Sequence, residues 1–172
     1  LDDLDSEVRE LTDLVNELVS VASGELAEQP ADIIDLGVLA KSVGARVARR
    51  KGRVVEVDVA AAGLVLAPPA GLERAITNLI QNAAKFDTAG GAIEVVVRGG
   101  DLRVLDRGPG IPQEDLPLIF DRFHRAVTAR TMPGSGLGLA IVREIVERSG
   151  GTVSARHRDG GGADIGFSLP EA

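Results

Sequence analysis

Residues 91–106, GAIEVVVRGGDLRVLD, restrict the fold more than any other stretch of this chain. Two alternating runs meet at Gly99-Gly100, and paired glycines supply the positive φ values that a tight hairpin turn requires. A second pair, GTVSARH and ADIGFSL, is joined by RDGGG at residues 158–162. Two hairpins demand an antiparallel sheet, and a sheet must bury one face against another layer. The remaining periodicities supply that layer. Leu72, Ala75, Ile76, Leu79, Ile80 and Ala83 recur at helical spacing and predict a helix over Pro69–Phe86. Further helices are expected over Leu36–Arg50 and Gly136–Ser149, with strands in RVVEVDV (53–59) and LVLA (64–67). Residues 107–135 read as loop, with one helical turn near Asp115. Strand and helix do not alternate regularly. The expected class is therefore α+β: a two-layer sandwich with helices on one face of a mixed, mostly antiparallel sheet.

The N-terminal part has a different pattern. Leu4, Val8, Leu11, Leu14, Val15, Leu18, Val19 and Ala22 form one amphipathic stripe suited to a coiled coil or bundle. Gly24–Pro30 breaks it. The expected division is 1–30 as the end of a separate helical domain with its linker, and 31–172 as one globular domain. The chain reads as a piece of a longer protein, because it starts inside a helical pattern. With 44% hydrophobic residues in 172, the globular part has enough apolar material for a core. No cysteine is present, which excludes a disulfide scaffold and thiolate metal sites. No apolar run reaches membrane-spanning length, so direct membrane contact is not expected. A net charge of −7 argues against nucleic acid as the main partner.

Four stretches carry chemistry. GSGLGLAIVREIVERSGG (134–151) places glycines directly before a helix. A helix start exposes unpaired N–H groups and the positive end of its dipole, and glycine lets an anion reach them. Phosphate is the obvious anion; a flexible linker is the competing reading. In DRGPGIP (106–112), an acid closes a strand before two glycines. Asp106 can accept a hydrogen bond from an amino group such as that of adenine, or it can cap a tight turn. In NLIQNAAKF (78–86), Asn78, Asn82 and Lys85 share one helical face. An amide oxygen suits Mg²⁺, which takes its other oxygens from water and phosphate. IFDRFHRA (119–126) combines two phenylalanines with two arginines, and also suits a small apolar cluster under a loop.

Taken together and in this order, the four stretches resemble the N, G1, F and G2 boxes of sensor histidine kinases. These share an ATP-binding sandwich fold with type II topoisomerases, Hsp90-like chaperones and MutL-type repair proteins. The resemblance implies that residues 1–24 belong to a dimerisation and histidine-phosphotransfer domain, and that 31–172 form a catalytic domain binding ATP and Mg²⁺. It implies Asn82 as the Mg²⁺ ligand, with Asn78 one turn before it. Lys85 becomes a phosphate contact, Phe86 a ring against the base, and Asp106 the adenine reader with Gly108 and Gly110 behind it. Phe120, Arg122, Phe123 and Arg125 fall in the F box. Gly134, Gly136, Leu137 and Gly138 correspond to the G2 box. Asp121–Ser135 is then expected to be a mobile lid.

The implied partners are the chain's own dimerisation domain, a response regulator and, in the full-length protein, a second copy. The implied setting is the cytoplasmic part of a membrane sensor. A same-fold ATPase and a nucleotide-sensing module are the alternatives. The sequence departs from the family pattern in three places. Ala67-Pro68 stands where the family often has Gly-Asp. Lys85-Phe86-Asp87-Thr88 replaces Lys-Tyr-Thr-Pro. Neither His124 nor His157 has the context of a phosphoacceptor, which is expected on a dimerisation helix outside this sequence.

Overall fold

The computed structural model describes residues 8, 11–12, 14–16, 18–19, 22, 29–126, 132 and 134–172. The described residues between 8 and 22 are helical, and Val8, Leu11, Val15, Leu18 and Val19 are exposed. The rest of the expected N-terminal helix, and the break at 24–28, lie outside the described residues.

From residue 32 the elements are β1 (Asp32–Asp35), α1 (Leu36–Lys51), β2 (Val55–Ala61), β3 (Leu64–Ala67), α2 (Pro69–Phe86), β4 (Ile93–Arg98), β5 (Asp101–Leu105), α3 (Gly138–Arg148), β6 (Thr152–His157) and β7 (Ala163–Ser168). Strands β2-β4-β5-β7-β6 form one sheet, and β1 pairs antiparallel with β3 in a small second one. All neighbours in the larger sheet are antiparallel except β2 and β4. A parallel pair needs a long crossover. Here the crossover includes β3 and α2, which is how α2 comes to lie across the sheet.

Local chemistry explains the element ends. Asp35 caps α1: its Oδ1 accepts the Val38 N–H at 2.9 Å. Gly52 at φ +62° ends the same helix. Helix α3 starts at Gly138, two residues later than its sequence predicts, because Gly136 at φ +75° is outside helical geometry. Strand β1 was not foreseen. Its four residues carry no alternating pattern, and they become a strand only by pairing with β3.

The three helices pack on one face of the five-stranded sheet. Ile93, Val95, Val97, Leu102, Val104, Ile165 and Phe167 of the sheet meet Leu72, Ile76, Leu79, Ile80 and Val142 of the helices. Each fully buried large side chain contributes about 1.5–3 kcal/mol. The outer face is polar: Asp164 is held by Arg103 at 2.6 Å and by Arg156 at 2.7 Å. The α+β sandwich is thus the one its patterning implies. Among the described residues no helix is long and apolar enough to cross a membrane.

Candidate nucleotide site

Helix α2 presents its polar residues toward the start of α3. Asn78 is 8% exposed, and its Nδ2 donates to the Gly138 carbonyl at 3.1 Å. This bond clasps the middle of α2 to the first residue of α3. Asn82, one turn later, is half-buried, and its amide makes no hydrogen bond among the described residues. Lys85 follows on the same face, with its Nζ 5.2 Å from the centre of the Phe86 ring. A methyl group added at Gly134 would lie 2.5 Å from that Nζ, so Lys85 reaches the glycine loop. The residues expected from two distant stretches therefore converge.

The start of α3 carries no side-chain cap. Leu137 donates its N–H to Ser135 Oγ at 3.1 Å. The N–H groups of the first turn have no intrahelical partner and lie at the positive end of the dipole. Gly136 has a separate structural reason: a Cβ there would come within 2.9 Å of the His124 carbonyl. Gly138 does not. A methyl at 138 would meet nothing nearer than Asn78 Nδ2 at 3.9 Å, so packing leaves the space above it open.

Asp106 closes β5 and is 3% exposed. Its Oδ1 accepts the N–H groups of Gly108 at 2.9 Å and Ala163 at 3.1 Å. Its Oδ2 receives no hydrogen bond from the described residues. Burial raises its pKa; the two N–H bonds and Arg158 oppose this, and the nearby Asp87 adds to the rise. Gly108 is required by packing, since its Cβ would stand 2.6 Å from the Phe86 carbonyl oxygen. Gly110, at φ +78°, turns the chain beside the Gly162 carbonyl.

The F stretch divides. Phe120 is buried in the core at 8% exposure, whereas Phe123 is 62% exposed and holds φ +62°. The Phe123 N–H donates to the Gly136 carbonyl at 3.1 Å, which joins the F stretch to the glycine loop. Arg122 is engaged by Glu144 of α3 at 3.6 Å. The Arg125 guanidinium donates to the Met132 carbonyl. His124 Nε2 lies 3.0 Å from Asp115 Oδ1, and His157 lies 3.3 Å from Gln113, so both histidines have neighbouring side-chain partners. Residues 127–131 and 133 of the expected lid lie outside the described residues.

Two contributors were missed by sequence reasoning. Gly162, at φ +103°, packs against the Asp106 carbonyl with no room for a Cβ, and Ala163 donates to the Asp106 carboxylate. The available signal was the length of RDGGG: Gly160 and Gly161 face open space, so only the third glycine answers to packing.

Known proteins resemble this chain over most of its length. The family described as histidine kinase-, DNA gyrase B-, and HSP90-like ATPase matches residues 67–172. The signal transduction histidine-protein kinase/phosphatase MprB of Mycobacterium tuberculosis is 40% identical over 97% of this chain and 34% of its own length. The chain thus spans about a third of the curated relatives it matches. The structure of a mycobacterial sensor histidine kinase MprB superposes with a TM-score of 0.71 at 34% identity, covering 82% of this chain and 97% of that one. The ATP-binding domain of PrrB from Mycobacterium tuberculosis gives a TM-score of 0.68 at 25% identity, covering 84% and 99%.

Proposed function

The chain belongs to the histidine kinase-, DNA gyrase B-, and HSP90-like ATPase family, and from that premise we propose that residues 31–172 are the ATP-binding catalytic domain of a sensor histidine kinase. The observation that carries this reading is the clasp between Asn78 and Gly138, which sets the Asn82–Lys85 face beside the uncapped start of α3. The kinase relatives favour it over a same-fold ATPase or a nucleotide-sensing module.

In this reading Asp106 accepts the adenine amino group on its open Oδ2, and Phe86 lies against the base. The first-turn N–H groups of α3, with Gly134, Gly136, Leu137 and Gly138, receive the phosphates. Lys85 adds a positive charge there. Arg122 and Arg125 supply more from the F stretch, and Phe120 and Phe123 hold that stretch to the core and the loop. Asn82 fits a role as Mg²⁺ ligand because its amide oxygen accepts no hydrogen bond among the described residues. No cluster of three acidic or histidine ligands exists among the described residues, which suits an ion held mainly by phosphate and water. Mg²⁺ when bound would screen the phosphate charge.

The parent protein would pass the γ-phosphate to a histidine on its dimerisation domain, and from there to an aspartate of a response regulator. It would work as a homodimer on the cytoplasmic side of a membrane, with residues 1–30 forming the end of the dimerisation helix and its linker. Neither His124 nor His157 acts as acceptor here. Phosphoryl transfer depends chiefly on positioning, and His124 is committed to Asp115.

Calorimetric titration with ATP, with and without Mg²⁺, tests the site. Asn82→Ala should lose most of the Mg²⁺-dependent affinity and keep the fold. Equal affinities for the variant and the parent would overturn the assignment.

A further inference from the structure

Asp115 is a buried acid that the proposed nucleotide contacts do not use. It is 6% exposed and sits in the turns after Pro112. Its N–H donates to the Pro112 carbonyl at 2.9 Å, and its carbonyl accepts the Leu118 N–H at 2.8 Å. Its Oδ2 is buried without a hydrogen-bond partner among the described residues. Its Oδ1 lies 3.0 Å from Nε2 of His124, nine residues later in the F stretch. A carboxylate can only accept, so this bond is made by a proton on Nε2.

The backbone beside His124 is strained. Phe123, at φ +62°, is the one non-glycine residue with positive φ among the described residues. A Cβ disfavours that region, so the conformation persists only where its surroundings enforce it. Three bonds do so. The Phe123 N–H donates to the Gly136 carbonyl at 3.1 Å, the His124 N–H donates to the Asp121 carbonyl at 3.2 Å, and the His124 ring is held by Asp115. The backbone of residues 123–124 therefore lies directly on Gly136. A Cβ there would stand 2.9 Å from the His124 carbonyl oxygen and 3.1 Å from the Phe123 Cα. Gly136 is two residues before the start of α3. Side-chain ties from the F stretch to α3 are looser. Arg122 meets Glu144 at 3.6 Å and Arg143 meets Asp121 at 3.2 Å, each with its arginine exposed, and exposed pairs hold a loop weakly.

We propose that Asp115 is a positioning residue for the phosphate end of the site. It acts through His124. By anchoring the ring, it keeps the Phe123–His124 backbone seated on Gly136, and so fixes where the glycine loop stands relative to the first turn of α3. The proposal rests on the reading of that loop and those N–H groups as the receivers of phosphate. Groups already held in place lose less freedom when a ligand binds, so the anchor favours the ligand that uses them. ATP uses the glycine loop in this reading; adenosine, which carries no phosphate, does not. The Asp115–His124 bond should therefore count for ATP and be silent for adenosine.

Calorimetric titration of the whole chain with ATP and Mg²⁺, and separately with adenosine, tests this. Asp115→Ala and His124→Ala each remove the tie and should each weaken ATP binding several-fold. Asp115→Asn keeps a carbonyl oxygen that can accept from Nε2, and should retain most of the parental affinity. Adenosine affinity should be unchanged in all three. The double alanine variant should lose no more than either single one, because both break the same bond. A pair that served the fold alone would lower the melting temperature and leave the ATP affinity of the folded variants at the parental value. That outcome overturns the proposal. So do parallel losses for ATP and adenosine, or losses that add in the double variant. Should Asp115→Ala not fold, His124→Ala and Asp115→Asn decide, and parental ATP affinity in His124→Ala overturns the proposal. A parent chain that binds ATP no more tightly than adenosine overturns the phosphate reading itself, and the role of Asp115 with it.

Discussion

At the purine end of the proposed site, Asp106 is fixed before any ligand arrives. Two backbone N–H groups hold one oxygen, and Gly162 of the last hairpin closes against its carbonyl. At the phosphate end, the first turn of α3 has no cap, and a methyl at Gly138 would touch nothing closely. One end is closed by protein groups; the other has no side-chain cap among the described residues. A flat, neutral base is recognised best by rigid, desolvated partners, because unpaired polar atoms are costly there. A charged phosphate can itself supply the partners that a helix start lacks.

The same substitution at the two ends tests this difference most strongly. Gly162→Ala should strain a backbone at φ +103° and drive a methyl into the Asp106 carbonyl. The strain alone costs on the order of 1–3 kcal/mol. Chemical denaturation should show the loss, and nucleotide binding should fall with it. Gly138→Ala should keep or raise stability, by about 0.4–1 kcal/mol from reduced chain entropy, while ATP binding weakens and adenosine binding does not. Similar stability losses for both variants would dissolve the contrast.

The purine end has its own test. Asp106→Asn keeps a carbonyl for the Gly108 and Ala163 N–H groups and adds a donor. Preference for ATP over GTP should shrink by on the order of 1–3 kcal/mol in competition assays. Stability separates this from unfolding. Burial raises the Asp106 pKa, so the folded parent is penalised once pH rises above the unfolded value of 3.8 and the unfolded chain ionises first. The asparagine variant should therefore be at least as stable as the parent at neutral pH, with its advantage fading as pH falls toward that value. An asparagine variant less stable than the parent at neutral pH, with the deficit shrinking as pH falls, would mean that the ionised form is needed for folding.

The smallest effect belongs to Arg122. Its pairing with Glu144 is largely exposed on the arginine side, at 59%, and such pairs contribute about 0–1 kcal/mol. Arg122→Gln should leave stability nearly unchanged. It should weaken ATP binding several-fold at most, since Arg122 has to leave Glu144 to reach a phosphate. The weakening should disappear at high salt. A large, salt-insensitive loss would place Arg122 in the site already.

Much of this architecture was legible along the chain. The helix over Pro69–Phe86 and the turn at Gly99-Gly100 are local patterns, and local patterns survive in a linear text. Asn78, Asn82 and Lys85 could be grouped by their spacing alone. The use of Asn78 could not be read this way: its partner, the Gly138 carbonyl, is sixty residues away and is a backbone atom, which no side-chain pattern marks. Arg122 and Phe123 were grouped with the site by the resemblance of their stretch to the F box. The structure gives Arg122 a partner on α3 and leaves Phe123 exposed, because adjacent residues in a tight turn point in different directions.

By itself, the sequence determined the types of the elements other than β1, the two-layer arrangement, and the four stretches where glycine, amide and carboxylate chemistry gather. Periodicity and turn composition are consequences of backbone geometry, so they can be read without knowing what packs where. Only the tertiary structure decided which strand runs parallel to β4, that the third glycine of RDGGG closes on Asp106, and that the buried Asp87 accepts the Arg107 N–H with the Arg53 guanidinium alongside. Those are pairings across 20 to 57 residues of chain. They are selected by the packing of layers against one another, and local preference says nothing about which distant atom will satisfy a buried charge.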